Sequence, residues 1–97
     1  MKVVKELSET TLLVKVEGRL DTLTAPELEK EVKEALPNVT NLVFDLEKLE
    51  YISSAGLRTL FSLFKLVKQN MVIRNVNGLV MEVFKVTGFA DIFHFER

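Results

Sequence analysis

Leu42-Val43-Phe44-Asp45-Leu46 constrains the fold more than any other stretch. Four of its five residues are large and apolar. A run this short does not fill a helix, and its composition is that of a strand buried on both faces of a parallel sheet. Such a strand needs neighbours of the same kind and helices to cover it. Met71-Val72-Ile73 supplies a second buried strand. Between the two, Ser54 to about Gln69 places Leu57, Leu60, Phe61, Phe64 and Val67 on one helical stripe.

The flanking segments extend the pattern. Val3–Leu7 and Leu12–Val16 are β-like runs joined by Ser8, Glu9, Thr10 and Thr11, a hairpin. Leu12, Val14 and Val16 alternate with Leu13, Lys15 and Glu17, and Gly18 ends the second run. Thr24-Ala25-Pro26-Glu27 reads as a helix start, with Thr24 as cap, Pro26 in the first turn and Glu27 completing a capping box. Leu28, Val32, Ala35 and Leu36 form its inner stripe, Glu29 and Lys33 pair outside, and Pro37-Asn38 stops it. Asn77-Gly78 opens a third helix over 79–86, which Thr87-Gly88 ends. Ile92-Phe93-His94-Phe95 is a last strand. The order β-β-α-β-α-β-α-β predicts an α/β domain over residues 1–97. Its sheet is mixed but mostly parallel, packs against the helices, and begins with an antiparallel hairpin.

Composition removes several functions. The net charge of −1 gives no footprint for nucleic acid or an anionic membrane. No stretch nears the roughly 20 apolar residues of a membrane span, so no insertion is expected. With no cysteine there is no disulfide, thiolate nucleophile or cysteine zinc site, which fits a reducing compartment and a cytoplasmic location. Neither G-x-x-x-x-G-K nor G-x-G-x-x-G occurs, and no cofactor is expected. Asp21 and Asp45 have no companions that would make them a metal pair. The single histidine, His94, falls on the outward face of the last strand, so Ser53 and Ser54 have no evident base and no enzyme is expected. No heptads or sticky strand edge call for an oligomer, and a monomer is the expectation.

Ser53-Ser54 stands at a helix start. Ser54 is placed to cap the helix over Ala55-Gly56-Leu57. A phosphate there would meet free N–H groups and the positive end of the helix dipole, and would add about −1.5 to −2 charge. Gly56 reads first as a position of close helix–sheet packing and second as access for a partner. Arg58 and Thr59 read as outward, Arg58 as either a partner contact or a solvated charge.

Four segments together resemble one family. Gly18-Arg19-Leu20-Asp21-Thr22-Leu23-Thr24-Ala25 resembles the G-x-L-D-x-x-T-A segment of STAS domains, the family of bacterial anti-sigma-factor antagonists. Leu42–Leu46 resembles its central strand. Tyr51-Ile52-Ser53-Ser54-Ala55-Gly56-Leu57 resembles its phosphorylation loop, an aromatic, then Ile or Met, Asp-Ser, a small residue and Gly-Leu. Val86-Thr87-Gly88-Phe89 resembles its C-terminal turn. The resemblance implies the STAS fold and a protein–protein switch. An anti-sigma factor that is also a serine kinase binds the unphosphorylated protein, phosphorylation releases it, and a PP2C-type phosphatase resets it. By position the acceptor is Ser54 rather than Ser53, and Asp21, Thr22, Ser53, Ser54, Gly56, Leu57, Arg58 and Thr59 fall on the docking surface. Ser53 departs from the pattern, since the family has Asp there. That departure keeps open a second reading, an accessory or scaffold STAS domain in a lipid-transport ABC system or signalling assembly. Many family members continue into one more helix after the last strand, which would leave Phe93 or Phe95 less covered here.

Overall fold

A computed structural model describes residues 1–96. The chain runs β1 (Lys2–Ser8), β2 (Thr11–Leu20), α1 (Ala25–Ala35), β3 (Asn41–Asp45), β4 (Leu49–Ile52), α2 (Ser54–Leu66), β5 (Met71–Arg74), α3 (Gly78–Val86), a single 3-10 turn (Phe89–Asp91) and β6 (His94–Glu96). The sheet order is β1-β2-β3-β5-β6, with β4 paired to the far end of β2. Among the described residues only the β1–β2 pairing is antiparallel. The α/β reading holds, with β4 as an additional strand.

β4 exists because β2 is longer than its alternation suggests. Gly18 does not end the strand. It adopts φ 92°, a left-handed conformation that costs glycine little. The register with β4 shifts between Gly18 and Arg19, and the strand resumes to Leu20. Past the last β2–β3 pair, Lys15 with Asp45, the edge of β2 is open, and Leu49–Ile52 pairs there with one extra residue, Glu50, bulged on the β4 side. The β1–β2 turn is tighter than the four-residue reading, because Ser8 and Thr11 already pair across it.

The helices gather on one face of the sheet. On that face Leu12, Val14, Leu42, Phe44, Met71 and Ile73 are all but sealed, and Leu28, Val32, Leu57, Leu60, Leu63 and Phe84 pack over them. The opposite face carries Leu13, Val43 and Val72, which are only half-buried. Leu42–Leu46 and Met71–Ile73 are therefore covered on one face and not on both, which corrects the doubly buried expectation. An apolar residue at every position does not oblige a helix to sit on each side.

Helix punctuation follows the sequence at α3, where the Asn77 side chain accepts from Val80 N at 3.0 Å and Gly88 takes φ 85° after the last turn. The outer pair on α1 forms, Lys33 Nζ to Glu29 Oε2 at 2.9 Å. Phe93 is 4 % exposed, packed edge-on against Phe64 and Phe84, so it is not left uncovered. Phe95 is half-buried against Phe84.

Candidate functional site

The β2–β4 pairing brings the end of β2 to the start of α2. Ser53 N donates to Leu20 O at 2.9 Å, which ties the β4–α2 turn to the residue before Asp21. Two loops distant in sequence thus lie side by side, Asp21–Thr24 and Ser53–Ser54.

The first loop is built around the Asp21 carboxylate. Its Oδ1 accepts from Leu23 N at 3.0 Å and Thr24 N at 3.1 Å, an Asx turn. The Thr24 hydroxyl accepts from Asp21 N at 2.8 Å and donates to Arg19 O at 2.8 Å. The Thr24 N–H, foremost, holds the Asp21 carboxyl below its ordinary range. The Leu23 N–H, the Thr24 hydroxyl and the Arg19 guanidinium add to this against a partial desolvation that opposes it. The expected Thr24–Glu27 capping box does not form, because Thr24 makes no side-chain cap bond to α1. Its hydroxyl is turned back to close the loop.

The second loop has its serines in exchanged roles. Ser53 is the N-cap of α2, in extended conformation, with its hydroxyl accepting from Gly56 N at 3.4 Å. Its carbonyl accepts from Leu57 N at 3.0 Å. Ser54 is the first helical residue, exposed, with no hydrogen bond to its hydroxyl among the described residues. The cap therefore falls on Ser53, not Ser54, since α2 begins at Ser54 and the cap is the residue just before the first helical one. Ser53 engages the Gly56 and Leu57 N–H groups, leaving those of Ser54 and Ala55 at the open end of the helix.

Gly56 is where α2 touches the sheet. A Cβ there would lie 2.8 Å from Leu20 Cγ, 2.9 Å from Ile52 Cγ1 and 3.0 Å from Leu20 O. This is the close-packing reading of that glycine. Leu57 and Thr59 are also buried, so the outward placement of Thr59 is corrected: it turns in toward α1. Gly56, Leu57 and Thr59 shape the surface from beneath. Thr22, Ser54 and Arg58 form it, and a shallow groove between α1 and α2 is bounded by Thr22, Pro26, Glu29, Arg58 and Ser62.

Three surface residues here escaped the sequence reading. Leu23, at the tip of the Asp21 loop, is 82 % exposed. Arg19 lies over the Tyr51 ring at 4.1 Å, and Tyr51 is exposed. An apolar residue inside a polar turn was a readable signal for Leu23. Tyr51 and Arg19 meet only through the unforeseen β2–β4 pairing.

His94 lies beside Phe64, 5.9 Å between rings. Phe64 is ten residues along α2 from Ser54, about 15 Å at the helical rise. Asp45 is taken up elsewhere, accepting from Glu47 N and Asn75 Nδ2, both at 3.0 Å.

The chain matches the family model for the STAS domain over residues 2–97. It is 33 % identical over 85 residues to the anti-sigma-B factor antagonist of Staphylococcus aureus, an alignment covering 84 % of this chain and 79 % of that protein. Among solved structures, an anti-sigma factor antagonist from Mycobacterium paratuberculosis superposes with a TM-score of 0.86 at 24 % identity, covering 97 % of this chain and 83 % of that one. The anti-sigma factor antagonist SpoIIAA superposes at 0.84 in its unphosphorylated form, with 17 % identity and coverage of 99 % and 89 %. A phosphorylated SpoIIAA superposes at 0.75, with 16 % identity and coverage of 99 % and 92 %.

Proposed function

Because the chain belongs to the STAS domain family, we propose that it is an anti-sigma-factor antagonist, a cytoplasmic binding protein rather than an enzyme. It docks on an anti-sigma-factor serine kinase through the surface around Asp21, Thr22, Ser54 and Arg58. Phosphorylation of Ser54 releases it, and a PP2C-type phosphatase restores the binding form.

One observation carries this reading. The serine that matches the family's acceptor position is the exposed one, with a free hydroxyl, while its neighbour Ser53 does the capping. A kinase can therefore modify Ser54 without unfolding α2. The phosphate would sit at the helix's N-terminal end, where the dipole and free N–H groups accommodate it. Arg58 is exposed one turn on, within reach of a group at position i−4. The domain stays folded and its surface changes by about two negative charges. Release then comes from a local change of charge and shape on the docking surface.

The test is site mapping by mass spectrometry after incubation with ATP and the serine kinases of its own host. A single phosphate on Ser54, with loss of kinase binding, supports the switch. Phosphate on Ser53, or none with any kinase, overturns it. The second reading, a scaffold or lipid-transport subunit, is favoured by Ser53 standing where the family has Asp. Genes for a kinase and phosphatase beside this one, as against a transporter permease, separate the two.

A further inference from the structure

The uncovered face of the sheet carries two ordered rows. Across the strands, Leu13 pairs in register with Val43, and Val43 with Val72, a half-buried apolar row. Two residues further along, Lys15 pairs with Asp45, Asp45 with Arg74, and Arg74 with Glu96. This second row alternates plus, minus, plus, minus over about 14 Å at the usual strand spacing. Within it, the Nε of Arg74 is buried and has no hydrogen-bond acceptor among the described residues, lying 3.8 Å from Asp45 Oδ2.

A row of four alternating charges is its own complement when reversed. A two-fold axis along the strands, between β3 and β5, sets a second copy face to face with each row in opposite order. Lys15 then opposes the second copy's Glu96, and Asp45 its Arg74, each contact occurring twice. On the same axis Val43 opposes the second copy's Val72. We propose that this face is a self-complementary interface on which a second copy of the chain docks, sheet to sheet, as a two-fold dimer. The packing is the aligned kind that two twisted sheets adopt, and the contact is isologous as a two-fold requires. It removes Leu13, Val43 and Val72 from water and brings a carboxylate toward the partly exposed Arg74 guanidinium. The near-zero net charge sets up little repulsion between copies. The patch is small beside a stable dimer interface, so association is weak and rapidly reversible. The Asp21 and Ser54 loops follow the C-terminal ends of β2 and β4 and contribute no residue to either row, so a dimer would present two docking sites.

The test is sedimentation of the whole chain from micromolar to millimolar concentration, with charge reversals at the outer pair. Lys15→Glu and Glu96→Lys change exposed residues, and circular dichroism checks that each still folds. The wild type is expected to form dimers. Each variant alone sets like charges together twice and should self-associate about tenfold more weakly. Mixed in equal amounts, the two variants set their reversed charges against each other at one contact and keep the native Lys15 and Glu96 at the other, so association returns. A wild type that stays monomeric throughout overturns the proposal, as do variants that dimerise like the wild type or a mixture no tighter than either variant alone.

Discussion

Gly56 lies so close to Leu20 that a side-chain carbon on it would come within 2.8 Å of Leu20 Cγ and 3.0 Å of Leu20 O. The second of these contacts is with backbone, which does not swing aside. Gly56→Ala gains up to about 1 kcal/mol of helix propensity, but overpacking a tight site costs about 1–3 kcal/mol. The expected net is a loss of about 1 kcal/mol or more in urea unfolding, with an unchanged denaturant slope. A variant as stable as the wild type would show that α2 can lift from the sheet at no cost.

Ser53 and Ser54 should part company in the same assay. Ser53→Ala removes the acceptor for Gly56 N and should cost about 1 kcal/mol, the ordinary worth of an N-cap. Ser54→Ala removes an exposed hydroxyl at the first helical position and should leave stability within about 0.5 kcal/mol. Equal losses would mean that both hydroxyls support the helix.

The Asp21 carboxyl sits below its ordinary value because it accepts N–H bonds that only the folded loop supplies. A folded pKa below the unfolded one means that its contribution is present above the unfolded value and is lost as pH falls through the folded value. Carboxyl NMR should give Asp21 a titration midpoint below 3.8, the unshifted value. Asp21→Asn should be less stable than the wild type at neutral pH, and the gap between them should close as the solution is acidified. A midpoint at or above 3.8 would mean the loop does not hold the carboxylate.

Leu23 tests whether the Asp21 loop docks. It is 82 % exposed, so Leu23→Ser should not lower the melting temperature. If the loop enters a partner site, losing this side chain should weaken kinase binding about tenfold in calorimetry. Unchanged affinity would remove the loop tip from the docking surface.

The order of helices and strands was legible because burial leaves a periodic trace along the chain. Leu28 and Val32 on α1, and Leu60 and Phe64 on α2, are inward as their spacing says. β4 was not legible, since Leu49-Glu50-Tyr51-Ile52 pairs with Gly18–Leu20 at the end of β2, far back along the chain. The site divides the same way. Its serines and Asp21 stood in recognisable segments, but which serine caps the helix depends on where α2 begins, and a helix start slides by a residue without changing its apolar stripe. The open sheet face was hidden for a related reason. Val43 and Val72 are apolar residues in apolar strands, and only the arrangement of the helices leaves them half-covered.

Ser54 carries the last prediction. Its hydroxyl is exposed and beside the Asp21 loop, so a charge placed there acts on whatever docks at that surface. Ser54→Asp puts one negative charge at the start of α2, where the dipole tolerates it, and should leave the melting temperature unchanged or slightly raised. It should nonetheless weaken binding to the cognate kinase by about tenfold or more, because the new charge must be desolvated on docking. Ser54→Ala should bind like the wild type and no longer respond to ATP. Arg58→Ala should widen the gap in binding between the Asp variant and the wild type if the arginine partly neutralises the new charge. Titration calorimetry with the kinase separates these outcomes, and equal affinity of Ser54→Asp, Ser54→Ala and the wild type would rule Ser54 out as the switch.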